Sequence, residues 1–147
     1  MRFLVCIVVA SCVLAGVAAA GKSDWVGSAK CGSCHGKQLA AWLKTPHATT
    51  AKRFATKPEA KCLACHGTGD APAGAAIAVE VGCEACHGAG AAYAEDDLMR
   101  SVPVARALGL ADTTTPANRT KLCMTCHARQ TKAKFDPLAP VHPVNTK

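Results

Sequence analysis

Apolar positions are unevenly spread along this chain. Phe3 to Val17 is an almost continuous apolar run behind one basic residue, Arg2, and Ala18-Ala19-Ala20 follow it. That is the layout of a secretory signal, too short and wrongly flanked for a spanning helix. It predicts cleavage after Ala20, a signal over 1–20 and a mature domain over 21–147. Beyond it, Leu39, Trp42 and Leu43 share one face of a helical pattern within Ser28 to Thr45, and Pro46 is expected to end that run. Gly67 to Gly74 and Gly88 to Ala92 read as loops. Asp96 to Leu110 suits a helix interrupted near Pro103, and Thr113-Thr114-Thr115-Pro116 suits a turn capping a helix that starts near Ala117. Pro137, Pro140 and Pro143 predict an extended tail. No stretch alternates with period two. The expected fold class is therefore short α-helices and irregular loops with little or no β-sheet.

Composition sharpens the problem. Aromatic residues make up only 4% of the chain, and large aliphatic side chains are thin past residue 20. A domain this short buries a modest fraction of its surface even with an ordinary core, so it needs something besides side chains to bury. The formal charge is +7, but the lysines and arginines are scattered, without a dense run or interleaved aromatics. A dispersed solvated surface accounts for them better than a nucleic-acid partner does. Val9-Ala10-Ser11-Cys12 loosely resembles a lipoprotein cleavage site; the apolar stretch before Cys12 is short and continues after it, which argues against a lipid anchor. With the signal removed, no membrane insertion is expected.

The cysteines identify what is buried. Of ten, Cys6 and Cys12 fall in the signal, and the other eight form four runs: Cys31-Gly32-Ser33-Cys34-His35, Cys62-Leu63-Ala64-Cys65-His66, Cys83-Glu84-Ala85-Cys86-His87 and Cys123-Met124-Thr125-Cys126-His127. C-x-x-C-H is the attachment sequence of c-type haem. On a helical turn, residues three apart share a face, so both thiols reach one porphyrin edge. The next residue offers its imidazole to the iron. Zinc ribbons or disulfides would also use C-x-x-C pairs, but neither requires histidine after every second cysteine. With only 6 histidines in the chain, four such placements are not coincidence. The expectation is four covalently bound haem c groups. The first cysteines are 31, 21 and 40 residues apart by subtraction (62−31, 83−62, 123−83), so the motifs do not form a fixed-period solenoid.

Four proximal histidines leave His47 and His142, both beside proline, as candidate distal ligands. Two irons then lack a histidine. Met99, the only methionine outside the signal and the motifs, Tyr93, a lysine, water or an empty position could complete them.

Several segments carry a family resemblance. Val26-Gly27-Ser28-Ala29-Lys30-Cys31, with Gln38, Trp42 and Thr45-Pro46-His47-Ala48, resembles the opening of the cytochrome c-554-type tetrahaem cytochromes. Val81-Gly82-Cys83-Glu84-Ala85-Cys86-His87-Gly88-Ala89-Gly90 is similar to that family's third motif, and Val141-His142-Pro143-Val144 to the close of its short periplasmic members. The resemblance implies a mostly helical and irregular fold with haems in packed pairs, His47 crossing to the haem of His127 and His142 to that of His87. Where the best-known members place a further histidine for the first haem, this chain reads Gly90-Ala91-Ala92-Tyr93-Ala94-Glu95.

The function expected is a periplasmic electron carrier between redox protein donors and acceptors of a respiratory chain, without catalytic residues. A different class, a small reductase acting on nitric oxide or hydroxylamine at an open haem, would also need positioned proton donors, and no cluster of them stands out. A structural, filament-forming cytochrome would be expected to supply histidine to every iron.

Overall fold

The computed structural model describes residues 24–54, 58–69, 80–128 and 135–144. The expected signal, with Cys6, Cys12 and the cleavage point after Ala20, lies outside these residues, as does the 70–74 part of the predicted loop. The described residues hold seven α-helices: α1 (Ser28–Cys34), α2 (Gly36–Trp42), α3 (Ala60–His66), α4 (Cys83–His87), α5 (Asp96–Met99), α6 (Val102–Ala107) and α7 (Pro116–His127), with a 3-10 segment over Pro46–Arg53. They contain no strand, and no helix among them is long and apolar enough to cross a membrane.

Each C-x-x-C-H run ends a helix. His66, His87 and His127 are the last residues of α3, α4 and α7, and His35 caps α1. Glycine follows His35, His66 and His87 at once, and Gly88 takes φ 82, a left-handed value that stops α4. Thr115 caps α7, its hydroxyl accepting the Asn118 N–H at 3.2 Å with Pro116 in the first turn, as the sequence implied.

Other boundaries differ from expectation. The break between α5 and α6 falls at Arg100 and Ser101, ahead of Pro103. Pro103 instead sits in the first turn of α6, where a missing N–H costs no helical bond. Pro46 opens the 3-10 segment; α2 has already stopped at Trp42, and the Thr45 N–H and hydroxyl both bond the Trp42 carbonyl. Leu43 does not join Trp42 inside. It follows the last residue of α2 and is 56% exposed. The tail turns at Pro137–Ala139 because Asp136 takes the Leu138 N–H on its side chain at 2.8 Å. Arg119 then ties the tail to α7 through the Leu138 and Ala139 carbonyls at 2.8 and 3.0 Å.

Helices this short are marginal alone, and the apolar core among the described residues is small: Trp42, Leu63, Tyr93 and Ala105. A buried polar framework joins them. The four buried polar residues among those described, Ser28, Thr50, Thr68 and Glu84, bond into the segment around the third motif. Thr68 donates to the Glu80 carbonyl at 2.6 Å and accepts the Gly82 N–H at 3.0 Å. Thr50 accepts the Val81 N–H at 3.2 Å, while the Trp42 indole N–H bonds the Val81 carbonyl at 3.0 Å. Ser28 donates to the Glu80 carboxylate at 2.9 Å and accepts the Cys83 N–H at 3.3 Å. Glu84, 2% exposed, accepts three backbone N–H groups, from Val26 (2.9 Å), Gly27 (2.7 Å) and Gly90 (2.7 Å). The third motif is thus the hub on which the earlier segments close.

Candidate functional site

The backbone that makes each attachment run helical also aligns its chemistry. In α1 the His35 N–H bonds the Cys31 carbonyl at 2.9 Å, one full turn, so Cys31, Cys34 and His35 lie along one side. All eight described cysteines are free thiols, half-buried or exposed. Among the described residues no group of three or more histidine, cysteine, aspartate or glutamate side chains gathers as a closed metal cluster; the donors come instead as thiol pairs with imidazoles.

The four motifs are not evenly dispersed. Helix α1 packs on α4, joining the first motif to the third, and α3 packs on α7, joining the second to the fourth. Across the first junction the neighbouring Cys83 thiol, and then burial, push the proton affinity of Cys31 up, while Cys31 and Ser28 lower that of Cys83. Across the second, the Cys126 thiol lies 3.7 Å from the Ala64 carbonyl oxygen. Motifs three and four are also neighbours: burial first, and then Cys123 and Cys126, push Cys86 up to about 11.

The histidines form two facing pairs. The His47 and His127 rings stand 6.1 Å apart, centre to centre, at 76°, and the His87 and His142 rings 5.9 Å apart at 34°. An iron bonded to two imidazole nitrogens at about 2 Å each requires ring centres about 6 Å apart. Neither His35 nor His66 faces a second imidazole among the described residues. His35 lies within electrostatic reach of His87, whose proton affinity is lowered by burial, His142 and His35 in turn. His66 has the edge of Phe54 at 5.4 Å and 85°. Phe135 stacks flat on His127 at 4.1 Å and 7°.

These residues fit covalently bound haem c. The thiols form no disulfide among the described residues, and the imidazole pairs have the spacing an iron demands. His66 and His127 each bury an Nδ1 with no hydrogen-bond partner, a state that marks a ring whose surroundings the polypeptide does not complete. Leu43, Val102, Val104, Leu108, Met124, Leu138 and Val144 also leave considerable apolar surface outside the core, surface that a porphyrin face can cover.

Tyr93 does not fit as an axial ligand. It is buried, and its hydroxyl lies 2.9 Å from the His87 carbonyl and 2.7 Å from that of Gly88. Burial raises its proton affinity well above the usual phenol range, with Cys31, Glu84 and Cys83 adding to it. It is a neutral clamp on the third motif. Glu84 is the functional residue whose role escaped the sequence reading. The available signal was a carboxylate inside an attachment motif, hemmed in by Gly82, Gly88 and Gly90.

Residues 30–88, which carry the first three motifs, match the family model described as cytochrome c554 and c-prime. No curated protein and no solved structure matches the chain. The match supports a haem-containing electron-transfer protein with covalently bound haem c. Over residues 30–88, less than half of its length, the chain resembles the cytochrome c554 and c-prime family.

Proposed function

We propose that this chain is an exported tetrahaem cytochrome that moves electrons between redox protein partners in the periplasm. The observation that carries the reading is the pair of facing imidazoles at about the iron-spanning distance, His47 with His127 and His87 with His142. Haem iron, when bound, supplies one-electron exchange between ferric and ferrous states. The chain's part is to hold and tune. Cys31 and Cys34, Cys62 and Cys65, Cys83 and Cys86, Cys123 and Cys126 would anchor the four groups, and His35, His66, His87 and His127, with His47 and His142, would supply imidazole to the irons. Two imidazoles stabilise ferric iron relative to a methionine ligand and so favour low potential. The packing of α1 on α4 and α3 on α7, with Cys86 near Cys123 and Cys126, orders the motifs first–third–fourth–second, a continuous route across the molecule.

Mass spectrometry of the exported protein tests the cofactor count: the chain from Gly21 plus four haem masses is expected, and three or fewer defeats it. His47→Ala and His142→Ala should each turn one low-spin iron high-spin with haem attachment unchanged; an unaltered ferric spectrum removes that ligand assignment.

One observation favours a second reading. His66 is faced by the Phe54 ring, an apolar neighbour that cannot ligate iron, so the second haem is the candidate open site of a small reductase. Carbon monoxide should shift the spectrum of the reduced protein if that position is open. Steady reduction of nitric oxide or hydroxylamine, faster than by free haem, would replace the carrier with the reductase.

A further inference from the structure

After the third motif the chain doubles back along the first. The Ala91 N–H bonds the Asp24 carbonyl at 3.0 Å. The Glu95 carboxylate pairs with Lys30, the residue before Cys31, at 3.3 Å. Residues 91 and 95 therefore lie beside 24 and 30, and these two contacts bring the start of α5 to the first attachment motif.

The faces of α5 are fixed by its own bonds. Asp96 and Arg100 form an exposed (i, i+4) pair at 2.6 Å, which marks the solvent side, and Asp97 is exposed with them. Glu95, itself largely exposed, turns instead to Lys30, the residue before Cys31. The Met99 N–H closes on the Glu95 carbonyl at 2.9 Å, so Met99 lies one turn beyond Glu95 on nearly the same face. It is half-buried. The spare histidines are already committed elsewhere, His47 opposite His127 and His142 opposite His87, and Tyr93 is held by two carbonyls.

We propose that Met99 is the thioether sixth ligand of the haem held by Cys31, Cys34 and His35. The inference rests on the tetrahaem reading above. A methionine in place of a second imidazole raises an iron's potential, so the first haem stands above the two bis-histidine haems and is the end of the route where electrons collect. Lys30–Glu95 ties the start of α5 to the residue before Cys31.

The test uses the exported protein with its haems attached. Near-infrared magnetic circular dichroism of the ferric wild type should show the charge-transfer band of thioether-ligated iron beside those of bis-imidazole iron; its absence overturns the proposal without any variant. Met99→Leu should abolish that band, convert one further iron to high-spin and open one more site to carbon monoxide. Met99→His should restore the low-spin iron while lowering the potential of that one haem. Met124→Leu, in the fourth motif, should leave the band intact; loss of the band there, or its survival in Met99→Leu, also overturns the assignment. Haem masses separate the two levels: four haems without the thioether band sink the Met99 ligand alone, whereas fewer than four sink the reading beneath it.

Discussion

The carboxylate of Glu84 takes the backbone N–H of Gly27 at 2.7 Å, across 57 residues of chain, and so locks the approach to the first attachment motif onto the interior of the third. Gly27 sits at φ 85, a left-handed value reached easily by glycine. Gly90 closes the cage from the other side: a Cβ there would lie 2.9 Å from the Glu84 carboxylate and from Val26.

Removing that carboxylate should be costly. Glu84→Ala strands three N–H groups, at about 1–3 kcal/mol for each buried donor left unpaired, so a loss of at least about 3 kcal/mol is expected. Glu84→Gln keeps one acceptor oxygen but turns an amide N–H₂ toward a donor, and should fall between. Denaturant unfolding of the haem-loaded proteins checks the order; an alanine variant as stable as wild type contradicts the clamp.

Gly88 and Gly36 should respond in opposite ways to alanine. At Gly88 a Cβ would meet the Gly109 carbonyl oxygen at 2.6 Å, with φ at +82. The left-handed backbone alone costs about 1–2 kcal/mol, and the oxygen belongs to backbone that must move. At Gly36, which opens α2, nothing lies within 4 Å, and alanine should be neutral or add up to about 1 kcal/mol. Thermal melting of the two variants side by side is the measurement; equal shifts would mean that the loop over 109–111 does not rest on Gly88.

Much of this fold was legible because its signals are local. The attachment runs forecast four helical turns, since thiols and imidazole must share one, and Thr115-Pro116 forecast the start of α7. The pairing of α1 with α4 and of α3 with α7 was not contained in the spacing of the cysteines. The first junction depends on long-range bonds made by Ser28 and Glu84, and the second brings Cys126 against the Ala64 carbonyl. Leu43 misled for the complementary reason: a face computed from period 3.6 continues only as long as the helix, and α2 stops one residue short of it. His47 and His142 stood out by elimination, whereas the position of Met99 on α5 needed the Lys30–Glu95 pair to orient it.

Thr115→Ala should weaken α7 by about 1 kcal/mol, the usual worth of an N-cap hydroxyl. Here the Asn118 N–H loses its acceptor, and the fourth attachment run lies at the far end of the same helix. A fall of a few degrees in melting temperature, without change in the ferric spectrum, is expected. A spectral change would mean that the cap reaches the His127 ligand as well.

Acid should release the paired imidazoles. His47 is held below its ordinary value of 6.5 by burial and then by His127, and His87 by burial, His142 and His35. Folding therefore favours their neutral forms, which are also the forms that bind iron. The stability they contribute is complete above the unfolded value near 6.5 and is lost as pH falls through the lowered folded values. The low-spin spectrum and melting temperature should stay flat from neutral to mildly alkaline pH and decline together below it. A decline on the alkaline side would contradict the sign.

The hub at the third motif also sets an order for biogenesis. A chain that emerges from its N-terminus presents Cys31, Cys34, Cys62 and Cys65 first, yet Ser28, Thr50 and Thr68 find their partners only when residues 80–84 arrive. Closure over such sequence separations is slow relative to local helix formation. The first two thiol pairs thus stay accessible until then, and the arrival of Glu84 is the event after which the earlier segments can no longer swing free.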